Sequence, residues 1–488
     1  MTISFNQVPQ NIRVPFVAVE FSNERANQGL TAQPYTSLLI GQKLTAGTAT
    51  SNLAVRVTSD EEAIRLFGAG SMLAEMVKAY RAIDTFSSLY CLPLEDSAAG
   101  AQATGTITVA GVPEEAGTLC LYINGTRITV GVAPEAVMAD VAASIATAIN
   151  AKGVPVTATS ELGIVTLKAK WKGTTGNNID IRLNYFSGER APRGLTITLT
   201  PMGGGSGDPE IAEAIALLDE THYNIIALAY NDGANLLAIK DEMERRWGPM
   251  DQRDGVVFFS TRGTMTDLAT IGRSQNHQCL SFIHAAKTPT SPWALASATA
   301  ACAAYYGNID PARPFQTLPL SGVLAPAKDD RFTLQERNLL LYDGVSTWTV
   351  DAGNMVRLER LITTYRQNPA GADDPSYLDV TTILTLGRLR YSLRNWLLQR
   401  YPRHKLASGD LSRFGRGQAI ATPDSIKADI VSWYSHCMDQ GLVENMDLFI
   451  KETFVERDSQ DVNRVNILLA PDVINQLIVM AAKMEFRL

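Results

Sequence analysis

The chain has 488 residues, of which 45% are hydrophobic and 19% are charged, and these proportions exclude a disordered protein. Its formal net charge is -7, from 43 basic and 50 acidic side chains, which argues against a dedicated nucleic-acid binder. No apolar run approaches the roughly 18 residues of a membrane span. From the charge and from this absence, respectively, neither nucleic acid nor membrane is a predicted partner.

The five cysteines and the start of the chain indicate the compartment in which the protein is made. The cysteines are odd in number and widely spaced, and none forms a CxxC pair. The opening stretch, MTISFNQVPQ, lacks the basic and apolar regions of a secretory signal. We therefore predict reduced thiols in a protein made in a cytoplasm.

Residues 1–30 are predicted to form an extended N-terminal arm. The stretch IRVPFVAVEF is rich in β-branched and aromatic residues and alternates, which places Ile12, Val14 and Phe16 on one face. Pro15 cannot donate to a β-ladder, so such a strand belongs at the edge of a sheet.

From residue 31 onward, short apolar runs alternate with amphipathic helices. The stretch SDEEAIRLFG predicts a helix with Ser59 or Asp60 as its N-cap and Gly68 at its end. The same alternation resumes at about residue 206 and continues to about residue 360. This pattern predicts one mostly parallel, doubly wound α/β domain over residues 31–97 and 206–360.

Residues 98–205, called the insertion below, interrupt this pattern with a β-rich composition. Asn124-Gly125 lies between two alternating runs, which is a strong hairpin signal. The stretch MGGGSG closes the insertion and is interpreted as a flexible connector. Asp208-Pro209 is then predicted to open the next helix as its N-cap and first residue.

Residues 361–488 are predicted to form a separate α+β domain with two long helices, the second opening at Thr422-Pro423. Its last residues, 477–488, alternate as a half-buried β-strand. The apolar face of that strand comprises Met480, Ala482, Met484, Phe486 and Leu488. A terminal strand frays unless it is paired, so its partner is either its own chain or another one.

The sequence carries no constellation for catalysis. It has no GxxxxGK[ST] loop, no GxSxG elbow and no HExxH or paired CxxC motif. The glycine-containing stretches GAGSML and GRGQAI lack the third glycine of a dinucleotide fingerprint. We therefore predict no catalytic, cofactor-binding or metal-binding residue, and a protein that is not an enzyme.

One basic feature stands out, in the helix GRLRYSLRNWLLQRYPRHK. Helical spacing places Arg390 and Arg394 on one face and an apolar stripe on the other. The surface is either simply solvated or a contact for an acidic protein partner. Nucleic acid is the least favoured partner, because no aromatic platform accompanies the basic residues.

The order of these parts resembles the tail sheath proteins of contractile phage tails, most closely the Mu-like group. The resemblance is carried by TGNNIDIRLNY at the end of the insertion, VRLERLITTYR after the α/β domain, and the ending VNRVNILLAPDVINQLIVMAAKMEFRL. It extends over nearly the whole chain. It implies a subtilisin-like fold of the α/β domain without protease activity, which agrees with the missing Ser/His/Asp arrangement.

The resemblance also implies how the subunits assemble. Sheath subunits polymerise helically around a tail tube, and their arms add strands to the sheets of neighbouring subunits. The apolar residues of the two arms would then be inter-subunit contacts, and Arg390 and Arg394 would face the tube. The implied partners are other sheath subunits, the tube protein, and the baseplate and tail terminator proteins, in a virion tail assembled in the host cytoplasm without a cofactor.

Two alternatives stay open at this point. The doubly wound sheet could serve a hydrolase or a ligand-binding protein at the point where the strand order reverses. Alternatively, the chain could form the sheath of a related injection machine, such as a pyocin-like particle or a secretion apparatus.

Overall fold

A computed structural model of the chain describes residues 33–218, 220–408 and 418–487. Within this part, residues 33–390 and 473–487 form one compact unit, and residues 391–472 form a second. No helix in the described ranges is long and apolar enough to cross a membrane.

The chain before the insertion forms three strands and two helices: β1 (Thr36–Gln42), β2 (Val55–Arg56), α1 (Asp60–Phe67), α2 (Met72–Arg81) and β3 (Ser88–Leu94). The predicted first helix is confirmed. The Ser59 side chain accepts the backbone N–H of Glu62, and Gly68 ends the helix with a φ of 92°. The Ser71 side chain caps α2 in the same way, by accepting the N–H of Ala74.

The insertion contains seven strands and one long helix: β4 (Gln102–Gly111), β5 (Gly117–Ile123), β6 (Thr126–Val132), α3 (Met138–Asn150), β7 (Val156–Glu161), β8 (Ile164–Lys172), β9 (Ile181–Leu183) and β10 (Leu195–Gly203). They form two antiparallel sheets, in the orders β10-β4-β8-β7 and β6-β5-β9. The predicted hairpin is confirmed, because Asn124 and Gly125 turn between β5 and β6 with positive φ angles of 49° and 76°.

Helices and strands alternate after the insertion: α4 (Ala212–Ala216), β11 (Ile225–Leu228), α5 (Gly233–Trp247), β12 (Val256–Thr261), α6 (Met265–Gln275), β13 (Leu280–His284), α7 (Pro292–Ile309), α8 (Leu334–Tyr342), β14 (Val345–Val350) and β15 (Val356–Arg360). The prediction that a helix opens at Asp208-Pro209 is wrong, since α4 begins at Ala212 with Ile211 as its N-cap. The reason is that the Asp208 carboxylate accepts the N–H of Thr174 instead, at 2.7 Å.

One eight-stranded sheet joins strands from both sides of the insertion, in the order β15-β14-β13-β12-β11-β1-β3-β2. Its six central strands are parallel, and only the edge strands β2 and β15 pair in antiparallel fashion. The predicted mixed α/β class with a mostly parallel sheet is therefore confirmed. Residues 33–97 and 206–360 are called the α/β core below.

The two ends of the insertion meet at its root. The Ala101 N–H donates to the Ser206 carbonyl at 2.8 Å, and the Ser206 N–H donates back at 3.2 Å. The Asn177 side chain accepts the N–H of Gly205 at 2.8 Å and donates to its carbonyl at 3.0 Å. MGGGSG is thus a hydrogen-bonded seam and not the flexible connector that its composition suggests.

The chain after the large sheet begins with the predicted long helix α9 (Val380–Arg400), whose residues 391–400 belong to the second unit. The following elements are short except for one helix: β16 (Lys405–Leu406), β17 (Ile420–Ala421), α10 (Pro423–Asp439), β18 (Val443–Glu444), α11 (Met446–Glu452), β19 (Phe454–Arg457), β20 (Val465–Leu468) and β21 (Asp472–Val473). Helix α10 opens as predicted, with Thr422 as N-cap and Pro423 first. The stacked rings of Tyr434 and Phe449 hold α10 against α11.

Candidate assembly surfaces

The C-terminal segment, residues 474–487, belongs to the larger unit and has no regular secondary structure. Two contacts hold its root: the Gln476 amide donates to the Thr381 hydroxyl, and the Gln316 amide donates to the Leu477 carbonyl at 3.3 Å. Beyond this root both faces of the predicted strand are exposed. The described part of the chain offers it no ladder partner, and a strand cannot form without one.

The apolar side chains of this segment are almost fully solvated. Met480 is 84% exposed, Met484 is 91% exposed and Phe486 is 82% exposed, and Ala482 is exposed as well. Leu488 lies outside the described residues, as do Ile12, Val14 and Phe16 of the predicted N-terminal arm. A row of large apolar groups left in water is typical of a surface that another molecule covers.

A hairpin in the second unit presents unpaired strand edges. Strands β19 and β20 pair only with each other among the described residues, in a register that runs from Phe454 opposite Leu468 to Arg457 opposite Val465. Phe454 is 60% exposed and Leu468 is 62% exposed. Such an edge can accept a further strand.

The two predicted tube-facing arginines lie in different surroundings on α9. Arg390 forms an ion pair with Asp254, donates to the Trp247 carbonyl at 2.8 Å, and lies 4.8 Å from the centre of the Trp247 ring. Burial raises the pKa of Asp254 to about 6, and the Arg390 charge opposes that rise. Arg394, one turn later, is exposed. Of the two arginines, Arg394 is therefore the one with an exposed charge and no ion pair among the described residues.

The insertion closes the place where a doubly wound sheet binds ligands. Strand order reverses between β1 and β11, so a ligand would lie at the carboxyl ends of these strands. There the fully buried Gln42 donates to the Asp96 carboxylate and to the Lys172 carbonyl at the end of β8, both at 2.8 Å. Tyr230, just beyond β11, is also fully buried. The crevice is therefore filled by the root of the insertion.

The buried histidines are core residues. Burial lowers the pKa of His284 to about 3 and that of His277 to about 4. The His284 ring lies 4.8 Å from the Trp348 ring, and His277 Nδ1 accepts the N–H of Cys279 at 3.1 Å. Such histidines are poorly suited to acid–base catalysis near neutral pH. Across the described ranges, no three His, Cys, Asp or Glu residues form a set that could hold a metal ion.

A half-buried carboxylate joins the insertion to the α/β core. Glu75 on α2 accepts two hydrogen bonds through Oε2, one from Asn124 at the tip of the β5–β6 hairpin at 2.7 Å and one from Trp293 Nε1 on α7 at 2.9 Å. The Trp293 ring meets Trp171 of β8 edge-on, with ring centres 5.5 Å apart. These four side chains are called the joint below. Burial raises the pKa of Glu75 to about 7, although both hydrogen bonds oppose the rise.

Replacing Glu75 with glutamine is expected to flatten the pH dependence of folding stability. The folded chain holds the Glu75 proton more tightly than the unfolded chain, whose glutamates have a pKa of about 4.3. The free energy of unfolding should therefore fall as the pH rises from about 4.5 to about 7. Between pH 5 and pH 8 the Glu75→Gln variant should gain roughly 2–4 kcal/mol relative to the wild type.

Urea denaturation of both proteins at pH 5 and pH 8 measures this difference. The exposed Glu244 on α5 provides the matched control, because Glu244→Gln should follow the wild-type profile at both pH values. A constant difference between Glu75→Gln and the wild type across this range would contradict the role given to Glu75.

The chain has a mixed α/β fold, and the crevice where its strand order reverses is filled. Its buried histidines are neutral, and the apolar side chains of its C-terminal segment are solvated. These are features of an assembly subunit. Comparisons with known proteins identify the assembly. Residues 204–364 match the family described as "Phage tail sheath protein central domain", and residues 372–487 match "Phage tail sheath C-terminal domain". The chain is also 41% identical, over 487 residues and the full length of both proteins, to the Mu-like prophage FluMu tail sheath protein of Haemophilus influenzae.

The chain belongs to the phage tail sheath protein family. It is a structural subunit of a contractile tail sheath, a part of the virion tail, and its family is not enzymatic. The resemblance to the Mu-like group and the predicted structural function are thus confirmed, and the hydrolase alternative is wrong.

Two solved structures of sheath proteins are similar to this chain. The helical sheath of the anti-feeding prophage in its contracted state aligns with a TM-score of 0.50 at 10% identity, over 97% of this chain and 99% of that chain. The sheath tail protein from Desulfitobacterium hafniense aligns with a TM-score of 0.48 at 12% identity, over 94% of this chain and 100% of that chain.

The joint was not predicted from the sequence, although one signal for it exists. Glu75 is a lone acid between apolar residues in the helix MLAEMVKAYR, on a stretch that is otherwise buried. A charged residue in such a position needs a specific partner. The sequence does not reveal that the partners are Asn124 and Trp293.

Proposed function

We propose that this chain polymerises helically around a tail tube and that contraction of the polymer drives the tube through a host cell envelope. The observation that carries the proposal is the C-terminal segment, whose large apolar side chains are solvated in the single chain. The related anti-feeding prophage protein forms a helical sheath with a contracted state. The partners are neighbouring copies, the tube protein, and the baseplate and tail terminator proteins.

The terminal arms link the subunits in this proposal. The face with Met480, Ala482, Met484, Phe486 and Leu488 packs on an adjacent copy, and its backbone extends a sheet there. The open hairpin of β19 and β20 is the acceptor best suited to it, since its edges are unpaired and its apolar side chains exposed. The N-terminal face of Ile12, Val14 and Phe16 adds a second strand. Linked backbones can stay paired while the subunits rotate, provided that the arms act as hinges.

We further propose that the chain divides into four segments, one N-terminal arm and three domains, which match these roles. Support comes from the single sheet shared by β1 and β11 and from the separate sheets of the insertion. The segments are an N-terminal arm (1–30), a subtilisin-like doubly wound domain (31–97 and 206–360), an inserted domain (98–205), and an α+β domain (361–488) that ends in the arm strand 477–488.

Mixing the purified protein with purified tail tubes tests the proposed function. Negative-stain electron microscopy should show tubes covered by a regular helical coat. A protein that neither coats tubes nor forms hollow rods at any concentration would overturn the proposal.

The basic face of α9 is proposed to meet the tube through Arg390 and Arg394. Since Arg390 already pairs with Asp254, the exposed charge of Arg394 is the better one to reverse in a test of this contact. The Arg394→Glu variant should coat tubes less completely, and the wild-type coat should weaken as salt concentration rises. Each exposed charge pair contributes only about 0.2–1 kcal/mol, but the loss is repeated in every subunit.

Two controls sharpen this test. Arg190→Glu reverses another exposed charge, on the insertion, and should leave tube coating unchanged. Arg390→Glu is unsuitable as a probe, because it leaves the buried Asp254 beside a like charge and should destabilise the monomer. If Arg394→Glu coats tubes as well as the wild type does, this helix does not contact the tube and its basic surface is simply solvated.

A further inference from the structure

One end of the insertion exposes a cluster of apolar side chains, called the insertion tip below. Its members are the exposed residues Val112, Val137, Met138, Leu162 and Ile164. Backbone contacts bring their three segments together. The Glu135 N–H donates to the Pro113 carbonyl at 2.8 Å. A Cβ added to Gly163 would lie 3.5 Å from Met138 Cβ. The insertion tip is thus a continuous apolar surface.

Leu162 occupies an unfavourable position at the centre of this surface. It is 87% exposed, and its φ of 48° lies in the left-handed region, where a bulky side chain is strained. A turn residue at this position is normally glycine, asparagine or aspartate. Leu162 is therefore unfavourable in the single chain, because its backbone is strained and its apolar side chain is exposed to water.

The charged groups near the insertion tip restrict its partner. Glu135, Asp140 and Glu161 are exposed on the segments that carry the apolar residues, and the nearby Arg193 forms an ion pair with Glu115 at 3.7 Å. A self-complementary contact between two tips would bring these carboxylates together. The tip therefore fits an apolar recess with a basic rim.

The same chain contains such a recess where the insertion meets the α/β core, called the base cavity below. It has a volume of about 470 Å³. Its lining includes Ile64, Leu324, Lys78, Lys152, Asp60 and Glu75. The two lysines are exposed, whereas Glu75 is engaged by Asn124 and Trp293. The charges most accessible to a visiting surface are therefore positive.

The insertion tip and the base cavity lie at opposite ends of the insertion. Helix α3 runs from Met138 at the tip to Asn150, which is followed by Lys152 at the cavity. Its 13 residues separate the two ends by about 20 Å. One copy cannot fill its own cavity with its own tip, and a contact between two copies is head-to-tail. Such a heterologous contact closes into a ring or, where the rotation between copies does not close, continues through a helical filament.

We propose that the insertion tip of one copy docks in the base cavity of a neighbouring copy in the sheath polymer. Leu162 enters the apolar recess, and Glu161 and its acidic neighbours face Lys78 and Lys152. This inference rests on the proposed polymerisation but not on the terminal arms. It adds a second line of contacts between subunits, through the insertions.

Replacing Leu162 with asparagine separates this role from a structural one. Asparagine tolerates a positive φ, so the Leu162→Asn monomer should melt at the wild-type temperature or above it. Loss of the buried leucine should raise the concentration needed for polymerisation by about tenfold or more. Leu53→Asn, at a leucine of the α/β core that is 52% exposed, should change neither property. A lower melting temperature with normal polymerisation of Leu162→Asn would overturn the proposal.

Disulfide trapping tests the contact directly. The five native cysteines are buried, so Leu162→Cys and Lys152→Cys introduce the exposed thiols. In one copy these positions are too far apart for a disulfide, which needs Cα atoms within about 7 Å. Oxidised polymers of the double variant should give a ladder of covalent oligomers, while either single variant should not. Polymers that give no ladder would contradict the contact, whereas a wild-type protein that forms no polymer would instead count against the proposed function.

Discussion

Truncation of the chain before Val479 is expected to abolish sheath polymerisation while leaving the melting temperature of the monomer nearly unchanged. Of the removed residues, 479–487 are exposed in the single chain, so they contribute little to its core. In the polymer each lost ladder hydrogen bond costs about 0.5–1.5 kcal/mol, and the lost burial of Phe486 costs about 1.5–3 kcal/mol. Because every subunit in the helix loses the same contacts, even a part of this free energy is sufficient.

Full-length substitutions separate the side chains of the arm from its backbone. Serine at Met480, Met484 and Phe486 should block polymerisation almost as strongly as the truncation. Serine at Lys483 and Glu485, on the opposite face, keeps the length of the arm and should allow polymers to form. Thermal melting and polymer length, measured on all three variants, test the account. Normal polymers from the truncated chain, or a melting temperature lowered by several degrees, would refute it.

Replacing Trp293 with alanine should reduce the free energy of unfolding by about 3–5 kcal/mol. Trp293 is 1% exposed and fills the space beside Trp171 of the insertion. Its loss opens a cavity there and also removes one of the two donors to the Glu75 carboxylate. The insertion and the α/β core should lose stability together, because the joint contains residues from both.

Trp293→Phe distinguishes packing from hydrogen bonding at the joint. Phenylalanine keeps an aromatic ring beside Trp171 but cannot donate to Glu75, so the loss should be smaller, about 1–3 kcal/mol. Urea denaturation with linear extrapolation provides both values. A cost below about 1 kcal/mol for Trp293→Ala would show that the insertion does not depend on the joint.

Local patterns account for what the sequence predicts well. The caps at Ser59 and Thr422 and the Asn124-Gly125 turn involve residues within a few positions of each other. The parallel sheet follows from short apolar runs between helices. The failed helix start at Asp208 has the opposite cause, since its carboxylate binds Thr174, 34 residues earlier in the chain.

The surroundings of the basic helix and of the joint depend on residues that are distant in the sequence, and this limits prediction from sequence. Arg390 and Asp254 are 136 residues apart, and Trp293 and Glu75 are 218 apart, so no local pattern relates them. The alternation of the C-terminal segment predicts a strand, but the residues that the structure describes provide no ladder for it. The proposed ladder partner lies in a second copy, which the sequence of one chain does not identify.

Cryo-electron microscopy of the assembled polymer would show where the C-terminal segment lies. We predict that residues 480–486 of each subunit form a strand in a sheet of an adjacent subunit, with Met480, Met484 and Phe486 buried. A polymer in which this segment folds back onto its own chain, or stays in solvent, would contradict the account.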